Sequence, residues 1–489
     1  MRSHLLNDTT AERYRSSVTE GVERVAAQLA AASRPFTGVT TESLASRIDS
    51  VDLDEPLHDT LDALDELEEL YLRDAVYAHH PRHLAHLHSP AVIPAVLGEA
   101  VLTGVNSCLD TWDRSAGATL IERRLVDWTA GRIGLGQDAD GVFTSGGAQS
   151  DLQALLLARD AAAERDPAAH RDPATLRVFA SEAGHAGARR AAELLGLGED
   201  AVVVIPTDRN KRMQTVALAR ALERCRRDDL SPMAVVASAG TADFGSIDPL
   251  PEVAALCAQY GTWLHVDAAY GCGLLASRRN RHLIDGIERA DSVTVDFHKS
   301  FFQPVSSSAL LVRDRAALSR TTQDRTAQDR TTQDRTTQDR TPDQAGKSLQ
   351  RDRRFDALKL WMTLRVMGAN GIGHLFDEVC ELATEGWRRL VADPRYDVVA
   401  EPQLSTLTFR YIPAAICAPS AIDRANLYAR KALFASGDAV VAGAKVGDRQ
   451  FLKFTLLNPE TTVDDITAVL DLIADHAEQY LGENLDRAC

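Results

Sequence analysis

The sequence lacks any long hydrophobic run that could cross a membrane or direct secretion. Its start, MRSHLLNDTTAERYRSSV, has no apolar stretch of the kind found in signal peptides. The most apolar early segment, PAVIPAVLGEAVL, is short and contains Glu99, whereas a transmembrane helix needs about 20 predominantly apolar residues. These absences predict a cytoplasmic protein that does not act at a membrane.

Paired cysteines and excess positive charge are also missing. The seven cysteines among 489 residues are scattered without CxxC spacing, which argues against a disulfide framework and a zinc site. We expect them to be reduced and mostly buried, with Cys272 serving as a small packing residue. Acidic residues outnumber basic ones by 70 to 54, giving a net charge of −16, so no nucleic-acid partner is expected.

What the sequence does contain is a regular alternation of strand-like and helix-like segments between about residues 140 and 313. Six short apolar runs alternate with stretches that have apolar residues at helical spacing, and these runs are LRVFAS, AVVVIP, MAVVASAG, TWLHVDAA, DSVTVDF and SALLVRD. Such alternation predicts an α/β fold with a mostly parallel sheet and helices on both of its faces.

The regions on either side of this alternation predict the domain organisation. Residues 1–95 have a mainly helical pattern, residues 96–365 form the large domain, and residues 366–489 change to a smaller α+β domain. Within the large domain, residues 320–345 contain the repeat RTTQDRTAQDRTTQDRTTQDRT. Its five-residue period fits neither helix nor strand and it has no large apolar residue, so we predict a solvated, mobile loop.

Four predicted strand ends carry residues suited to chemistry. VFTSGGAQSDL places Gly147 and Ala148 between a strand and a helix, where backbone N–H groups suit a phosphate but an ordinary turn is equally common. HVDAAYG ends a strand with Asp267, a residue type that also binds metals and caps helices. DFHKS ends another strand with Lys299, and ASEAGHAG places His185 after a third. A lysine in such a place is more often simply solvated, and a histidine more often caps a helix.

The combination of these residues indicates one cofactor. Pyridoxal 5′-phosphate needs a lysine amine to form a Schiff base, a carboxylate to keep its ring nitrogen protonated, a flat partner for its ring and a cradle for its phosphate. Because ligands bind at the carboxyl ends of the strands in sheets of this kind, the four sites are expected to meet. The sequence therefore predicts a pyridoxal phosphate site and no metal site.

Three motifs in this order, TSGGAQSDL, VDAAYG and DFHKS, resemble those of the group II pyridoxal phosphate-dependent amino acid decarboxylases. The resemblance covers nearly the whole chain apart from the repeat. It implies the aspartate aminotransferase-like fold (fold type I), with a seven-stranded type of sheet in the large domain and a smaller C-terminal domain. DSVTVDFHKSFFQPVSSS and RRFDALKLWMTLRVMGA are most similar to the lysine decarboxylases of desferrioxamine-type siderophore biosynthesis.

The resemblance also implies roles for individual residues. Lys299 would form the Schiff base, Asp267 would pair with the ring nitrogen, and His185 would stack on the ring. The remaining cofactor contacts would be a residue beneath the ring, two backbone N–H groups for the phosphate and two side chains near the lysine, namely Ala269, Gly147, Ala148, Asp296 and His298. The family forms dimers, so a homodimer is expected, with HPRHLAHLHSP and SCLDTWDRSAG lining the substrate entrance.

The implied reaction is decarboxylation of a basic amino acid, with L-lysine giving cadaverine and CO₂ as the first expectation. Departures from the family pattern leave other outcomes open. Ala148 and Asp151 stand where Thr or Ser and Asn are common in the family, and the added charge of Asp151 is expected to weaken cofactor binding. The sequence has no tyrosine between Tyr270 and Tyr396, although the family's lid often carries one as a proton donor.

These other outcomes differ in substrate or in chemistry. A decarboxylase acting on diaminobutyrate or ornithine would keep the reaction and change the substrate. A decarboxylation-dependent transaminase or deaminase would follow from protonation at the wrong carbon, because Thr, Gln, Asp and Arg are poor acids for that step. An inactive copy that serves only as a dimer partner is the third.

Overall fold

The computed structural model describes residues 2–165, 172–320, 344–415 and 417–484. Most of the predicted loop at 320–345 therefore lies outside the described residues. Within them, no helix is both long enough and apolar enough to pass through a bilayer.

The strands group into two sheets. In chain order they are β1 (His83–Leu84), β2 (Asp140–Thr144), β3 (Leu176–Ser181), β4 (Val202–Ile205), β5 (Ser231–Ser238), β6 (Trp263–Asp267), β7 (Ser292–Asp296), β8 (Ser308–Val312), β9 (Tyr396–Val398), β10 (Thr406–Tyr411), β11 (Val440–Val446) and β12 (Arg449–Thr455). A seven-stranded sheet has the order β2-β8-β7-β6-β5-β3-β4, and a five-stranded sheet has the order β1-β11-β12-β10-β9.

The α-helices alternate with these strands through the large sheet. They are α1 (Ala11–Ala31), α2 (Thr41–Asp49), α3 (Thr60–Leu67), α4 (Ile93–Val105), α5 (Trp112–Ser115), α6 (Gly117–Ile133), α7 (Gly147–Arg165), α8 (Gly187–Leu194), α9 (Thr215–Arg227), α10 (Leu250–Tyr260), α11 (Phe297–Ser300), α12 (Arg315–Arg320), α13 (Ala357–Val366), α14 (Gly368–Ala392), α15 (Pro419–Ser436) and α16 (Val463–Glu483).

The large sheet is mostly parallel, as the sequence predicts. Strands β4, β3, β5, β6 and β7 run parallel to one another, while β8 is antiparallel to both β7 and β2. All five residues of β7 and all five of β8 are buried, as expected for strands covered on both faces of the sheet. The α/β class and the fold type I architecture are thus confirmed.

Two compact units divide the described residues differently from the predicted domains. One comprises the described residues of Met1–His86, Glu385–Val399 and Leu407–Cys489, and the other comprises those of Leu87–Thr384 and Ala400–Thr406. In the first unit, His83 and Leu84 pair in parallel with Val440 and Val441. The segment predicted to be mainly helical up to residue 95 therefore also supplies a strand to the C-terminal sheet. This pairing spans more than 350 residues and leaves no local signal.

Candidate active site

One wall of a pocket in the second unit is the turn from β2 into α7. Helix α7 begins at Gly147, and the first N–H groups of an α-helix have no partner inside the helix and attract anions. A Cβ added to Gly147 would lie 3.1 Å from Oδ2 of Asp296. Glycine here therefore keeps the space between the start of the helix and that carboxylate open, and Ala148 lines the same pocket.

Asp267 ends β6 at the floor of the pocket. Its Oδ1 accepts a hydrogen bond of 3.0 Å from the backbone N–H of Ala269, and this turn fixes the carboxylate at the sheet edge. Burial, followed by the charge of Asp151, raises the pKa of Asp267 to about 6 from an ordinary 3.8, although Lys299 and the Ala269 N–H act in the opposite direction. Such a carboxylate binds a proton readily and is well suited to a cationic partner.

The raised pKa predicts a pH-dependent stability for the cofactor-free protein. The folded state keeps the Asp267 proton up to about pH 6, whereas the unfolded chain releases it near 3.8. The carboxyl therefore destabilises the fold progressively as pH rises through this window and fully above it. We expect Asp267→Asn to raise the free energy of unfolding by about 2 kcal/mol near pH 7.5 and by about half as much near pH 5, as measured by urea unfolding.

Saturating pyridoxal phosphate provides the control for this prediction. A ligand that binds only the folded state stabilises it, so the wild type should become the more stable of the two proteins. A stabilisation that is equal at both pH values would contradict the assignment to Asp267.

Lys299 lies on α11, a one-turn helix held from below by aromatic packing. Phe297 and Phe301 flank it and are fully buried, with Phe297 stacked on Phe143 at 5.5 Å between ring centroids. On the other side, the Ser89 hydroxyl donates to the Lys299 carbonyl at 2.9 Å. The short helix is therefore fixed, and its His298 and Lys299 line the pocket.

A carboxylate beside Lys299 controls the charge of its amine. Lys299 Nζ lies 2.8 Å from Oδ2 of Asp296, and the Ser308 hydroxyl donates to the other carboxylate oxygen at 2.6 Å. Burial alone would favour the neutral amine, but the Asp296 and Asp267 carboxylates outweigh it and raise the pKa of Lys299. Lys299 is thus a cation held between two carboxylates.

Both histidines at the pocket make hydrogen bonds through Nδ1. The N–H of Gly187 donates to His185 Nδ1 at 3.1 Å, so that nitrogen carries no proton and the ring is neutral with its proton on Nε2. His298 Nδ1 lies 3.0 Å from the Ser307 carbonyl and 3.3 Å from the Ser307 N–H. Burial lowers the pKa of His298 despite the nearby Asp296 carboxylate, which favours the neutral ring.

The structure brings all the sequence-predicted site residues to one pocket. These residues are Gly147, Ala148, His185, Asp267, Ala269, Asp296, His298 and Lys299. From the first predicted entrance motif, Leu87 lines the pocket. Among the described residues that line it, none comes from SCLDTWDRSAG, whose Arg114 instead pairs with Asp352 at 2.9 Å.

Several residues in or near the pocket were missed by sequence reasoning. Ser238 and Thr241 line it from the end of β5 and the turn beyond it, and His265 and Thr294 lie behind it. The last two could have been found, because side chains two residues apart on a strand share a face. His265 precedes Asp267 by two positions, and Thr294 precedes Asp296 by two.

These residues fit pyridoxal phosphate. The open cradle at Gly147 and the start of α7 suit a phosphate, Asp267 suits a protonated ring nitrogen, and Lys299 supplies an amine for the aldehyde. With a mostly parallel seven-stranded sheet whose carboxyl edge holds them all, they define a pyridoxal phosphate-dependent enzyme of fold type I.

The chain belongs to the pyridoxal-dependent decarboxylase family, because the model of the "Pyridoxal-dependent decarboxylase conserved domain" matches residues 48–412. It is an amino acid decarboxylase by family, and its cofactor is pyridoxal 5′-phosphate. It is 38% identical over 467 residues to an L-2,4-diaminobutyrate decarboxylase of Rhizobium meliloti (strain 1021), covering 95% of this chain and 92% of the relative. An L-2,4-diaminobutyrate decarboxylase of Acinetobacter baumannii is 34% identical over 480 residues, with 95% and 93% covered.

A solved structure shows the same similarity in three dimensions. It is the glutamate decarboxylase domain of a diaminobutyrate-pyruvate transaminase and L-2,4-diaminobutyrate decarboxylase from Vibrio parahaemolyticus. This chain is 30% identical to it with a TM-score of 0.87, and 97% of each chain is covered. The expected decarboxylase family is confirmed, whereas these relatives carry the name of diaminobutyrate and not of lysine.

Proposed function

We propose that this protein decarboxylates a basic diamino acid, with L-2,4-diaminobutyrate as its principal substrate. Loss of the α-carboxylate from that substrate as CO₂ leaves 1,3-diaminopropane. The proposed decarboxylation is supported mainly by one observation, that Lys299 and Asp267 line the same pocket in a chain from this family. The substrate is favoured by the names of two relatives aligned over 95% of the chain.

The charge of the pocket supports a cationic substrate. Among the described residues that line it are three carboxylates, those of Asp151, Asp267 and Asp296, and one ammonium, that of Lys299. His185 is neutral by its hydrogen bond, and the lowered pKa of His298 favours its neutral ring. An excess of negative charge in a cleft attracts cations and raises their local concentration, so a substrate with a second ammonium group is preferred over a neutral or acidic one.

Each residue then has a role toward the cofactor and the substrate. Bound pyridoxal phosphate withdraws electrons from the Cα–carboxylate bond so that CO₂ can leave. Lys299 anchors it covalently and afterwards, as an ammonium beside Asp296, can return a proton to Cα from Nζ. Asp267 holds the proton of the ring nitrogen, and His185 packs on the ring as a neutral imidazole.

The remaining cofactor contacts are smaller groups. The N–H groups of Gly147 and Ala148 would bind the phosphate at the start of α7. Ala269 would leave room for the ring, which a larger side chain would restrict. His298 and Asp296 hold the lysine end of the pocket in place.

A substrate panel tests the proposal. Purified protein with pyridoxal phosphate should release CO₂ and 1,3-diaminopropane from L-2,4-diaminobutyrate, with a larger kcat/KM than for ornithine, lysine or glutamate. L-lysine is the main competitor, because RRFDALKLWMTLRVMGA resembles the lysine decarboxylases of siderophore assembly. Cadaverine as the dominant product would reverse the ranking, and the absence of any amine from all diamino acids would end the proposal.

A second candidate is decarboxylation-dependent transamination or deamination. Tyr270 is buried with its hydroxyl 2.8 Å from Ser405 Oγ and 3.0 Å from Thr406 Oγ1, and burial raises its pKa, so it is not a proton donor. The sequence holds no tyrosine between Tyr270 and Tyr396. The ratio of aldehyde to amine, measured by mass, separates this outcome from simple decarboxylation. An inactive copy is separated by colour, since it would bind no yellow cofactor.

We further propose that the protein is a homodimer and that it is cytoplasmic. Exposed apolar side chains on two helices support the dimer. On α1 they follow helical spacing as Tyr14, Val18, Val22, Val25 and Leu29, and on α4 they are Ile93, Val96, Leu97, Val101 and Val105. Monomers rarely expose contiguous patches of this kind. A second copy of the chain is the partner that the family provides.

The α4 face gives a direct prediction for the dimer. Val101→Asp should place a charge in the contact and halve the mass measured by light scattering, because an unpaired charge in a dry interface is costly. Val216→Asp is the matched control, since Val216 is exposed on α9 outside this face. If both variants kept the mass of the wild type, α4 would not be in the interface.

A further inference from the structure

Asp151 lines the pocket but has no role in the chemistry described above. It lies near the start of α7 and is 6% exposed. The Thr294 hydroxyl donates to its Oδ1 at 3.0 Å, and His265 Nε2 lies 3.3 Å from the same oxygen. The carboxylate is therefore fixed against β6 and β7, the two strands that end in Asp267 and Asp296.

Behind Asp151 is a buried chain of polar side chains. His265 is fully buried, and its Nδ1 lies 2.8 Å from Ser292 Oγ, which accepts a bond from Trp263 Nε1 at 2.8 Å. Because the indole can only donate, the serine proton is available for His265 Nδ1. His265 Nε2–H then donates to Asp151, so the imidazole holds the carboxylate in place as a hydrogen-bond donor.

The charge of Asp151 acts mainly on Asp267. His265 and Asp267 share a face of β6 because they are two residues apart, and the Asp151 charge works with burial to hold the Asp267 proton. Among the described residues that line the pocket, the other charged or titratable groups are Asp296 at the end of β7, His298 and Lys299 on α11, His185 before α8 and Tyr270 after β6. His265 lies behind Asp151. Only Asp151 adds a negative charge from α7.

We propose that Asp151 is a positioning residue that acts through Asp267 and raises the affinity of the cofactor's ring nitrogen for its proton. This inference rests on the proposed role of Asp267. The carboxylates of Asp151 and Asp267 would stabilise a protonated ring nitrogen. The site would therefore bind a ring that can be protonated more tightly than one that cannot. The sequence-based expectation that Asp151 weakens cofactor binding through the phosphate is thereby replaced by a favourable effect at the nitrogen.

The experiment compares two probes on cofactor-free protein by equilibrium dialysis. One is pyridoxal 5′-phosphate, and the other is its 1-deaza analogue, which has carbon in place of the ring nitrogen. The preference is the ratio of the two dissociation constants. A charge within a few ångströms shifts a proton affinity by one unit or more, so Asp151→Asn should lower the preference at least about tenfold.

Two further variants sharpen the test. A Cβ on Gly187 would lie 2.5 Å from Asp151 Oδ2 and 3.0 Å from His185 Nδ1. Gly187→Ala therefore displaces the carboxylate without removing it and should also lower the preference, whereas a shift of His185 should weaken both probes alike. This variant decides the question if Asp151→Asn does not fold. Asp160→Asn removes a charge from the same helix, where Asp160 pairs with Arg159, and should leave the preference unchanged.

The outcomes separate this inference from the proposed function. If Asp151→Asn leaves the preference unchanged, whether or not both probes bind more weakly, Asp151 is only structural. That result would overturn this inference and leave the proposed function standing. A wild type without preference, or an Asp267→Asn variant that keeps it, would overturn the role of Asp267 and with it the proposed function of the site.

Discussion

Lys299→Ala should abolish both the covalent attachment of pyridoxal phosphate and the decarboxylation of diamino acids. Lys299 Nζ lies at the carboxyl edge of the sheet between Asp296 and Asp267, and the lysine is the one that lines the pocket among the described residues. Removal of a group that acts as both nucleophile and proton donor should lower kcat at least about a thousandfold. Some cofactor should still bind through the phosphate cradle and Asp267, without forming a bond to the protein.

Borohydride reduction followed by peptide mass analysis measures this directly. The peptide that contains Lys299 should gain the mass of the reduced cofactor in the wild type and should be unlabelled in the variant. Lys445→Ala, which removes an exposed lysine, is the matched control and should keep full activity. Label on Lys359 would contradict the assignment, but Lys359 Nζ is buried and held by the Ser306 carbonyl at 2.5 Å and Asp356 at 2.8 Å.

The parts of the fold that could be predicted are those with a local signal. LRVFAS matches β3 at both ends, and SALLVRD begins where β8 begins, because a strand buried on both faces reads as a continuous apolar run. The pairing of β1 with β11 could not be predicted. It consists of two residues whose partner is distant in the sequence, and such a short segment has no periodicity of its own.

The site residues that could be predicted also had a local signal in the sequence. Lys299, Asp267, His185 and Gly147 were predictable because each follows a strand, and parallel strands bring their carboxyl ends together. The contacts of Asp151 could not be predicted, because the sequence does not distinguish a carboxylate on the buried side of a helix from one on the exposed side. Its partners, Thr294 and His265, come from two different strands, and only the sheet order places them beside one helix.

The return of the chain after the repeat depends on a buried ion pair, which gives the second large prediction. Arg353 and Glu122 are 4% and 0% exposed, with Arg353 Nη1 bonded to Glu122 Oε2 at 3.0 Å and to the Phe143 carbonyl at 3.2 Å. The Arg353 carbonyl also accepts a hydrogen bond of 2.8 Å from the N–H of Leu109. This pair ties the segment leading to α13 to helix α6 and to strand β2.

Glu122→Leu should lower the free energy of unfolding by about 3 to 5 kcal/mol, because it leaves the Arg353 charge buried without a partner. Arg353→Met should lower the free energy of unfolding by a similar amount, because the Glu122 carboxylate would then be buried without its partner. The double variant should recover much of the loss, since an apolar pair of similar volume is often as stable as a buried ion pair. Thermal unfolding of the three variants in one buffer measures this, and losses that simply add would show that the two residues do not stabilise the protein as a pair.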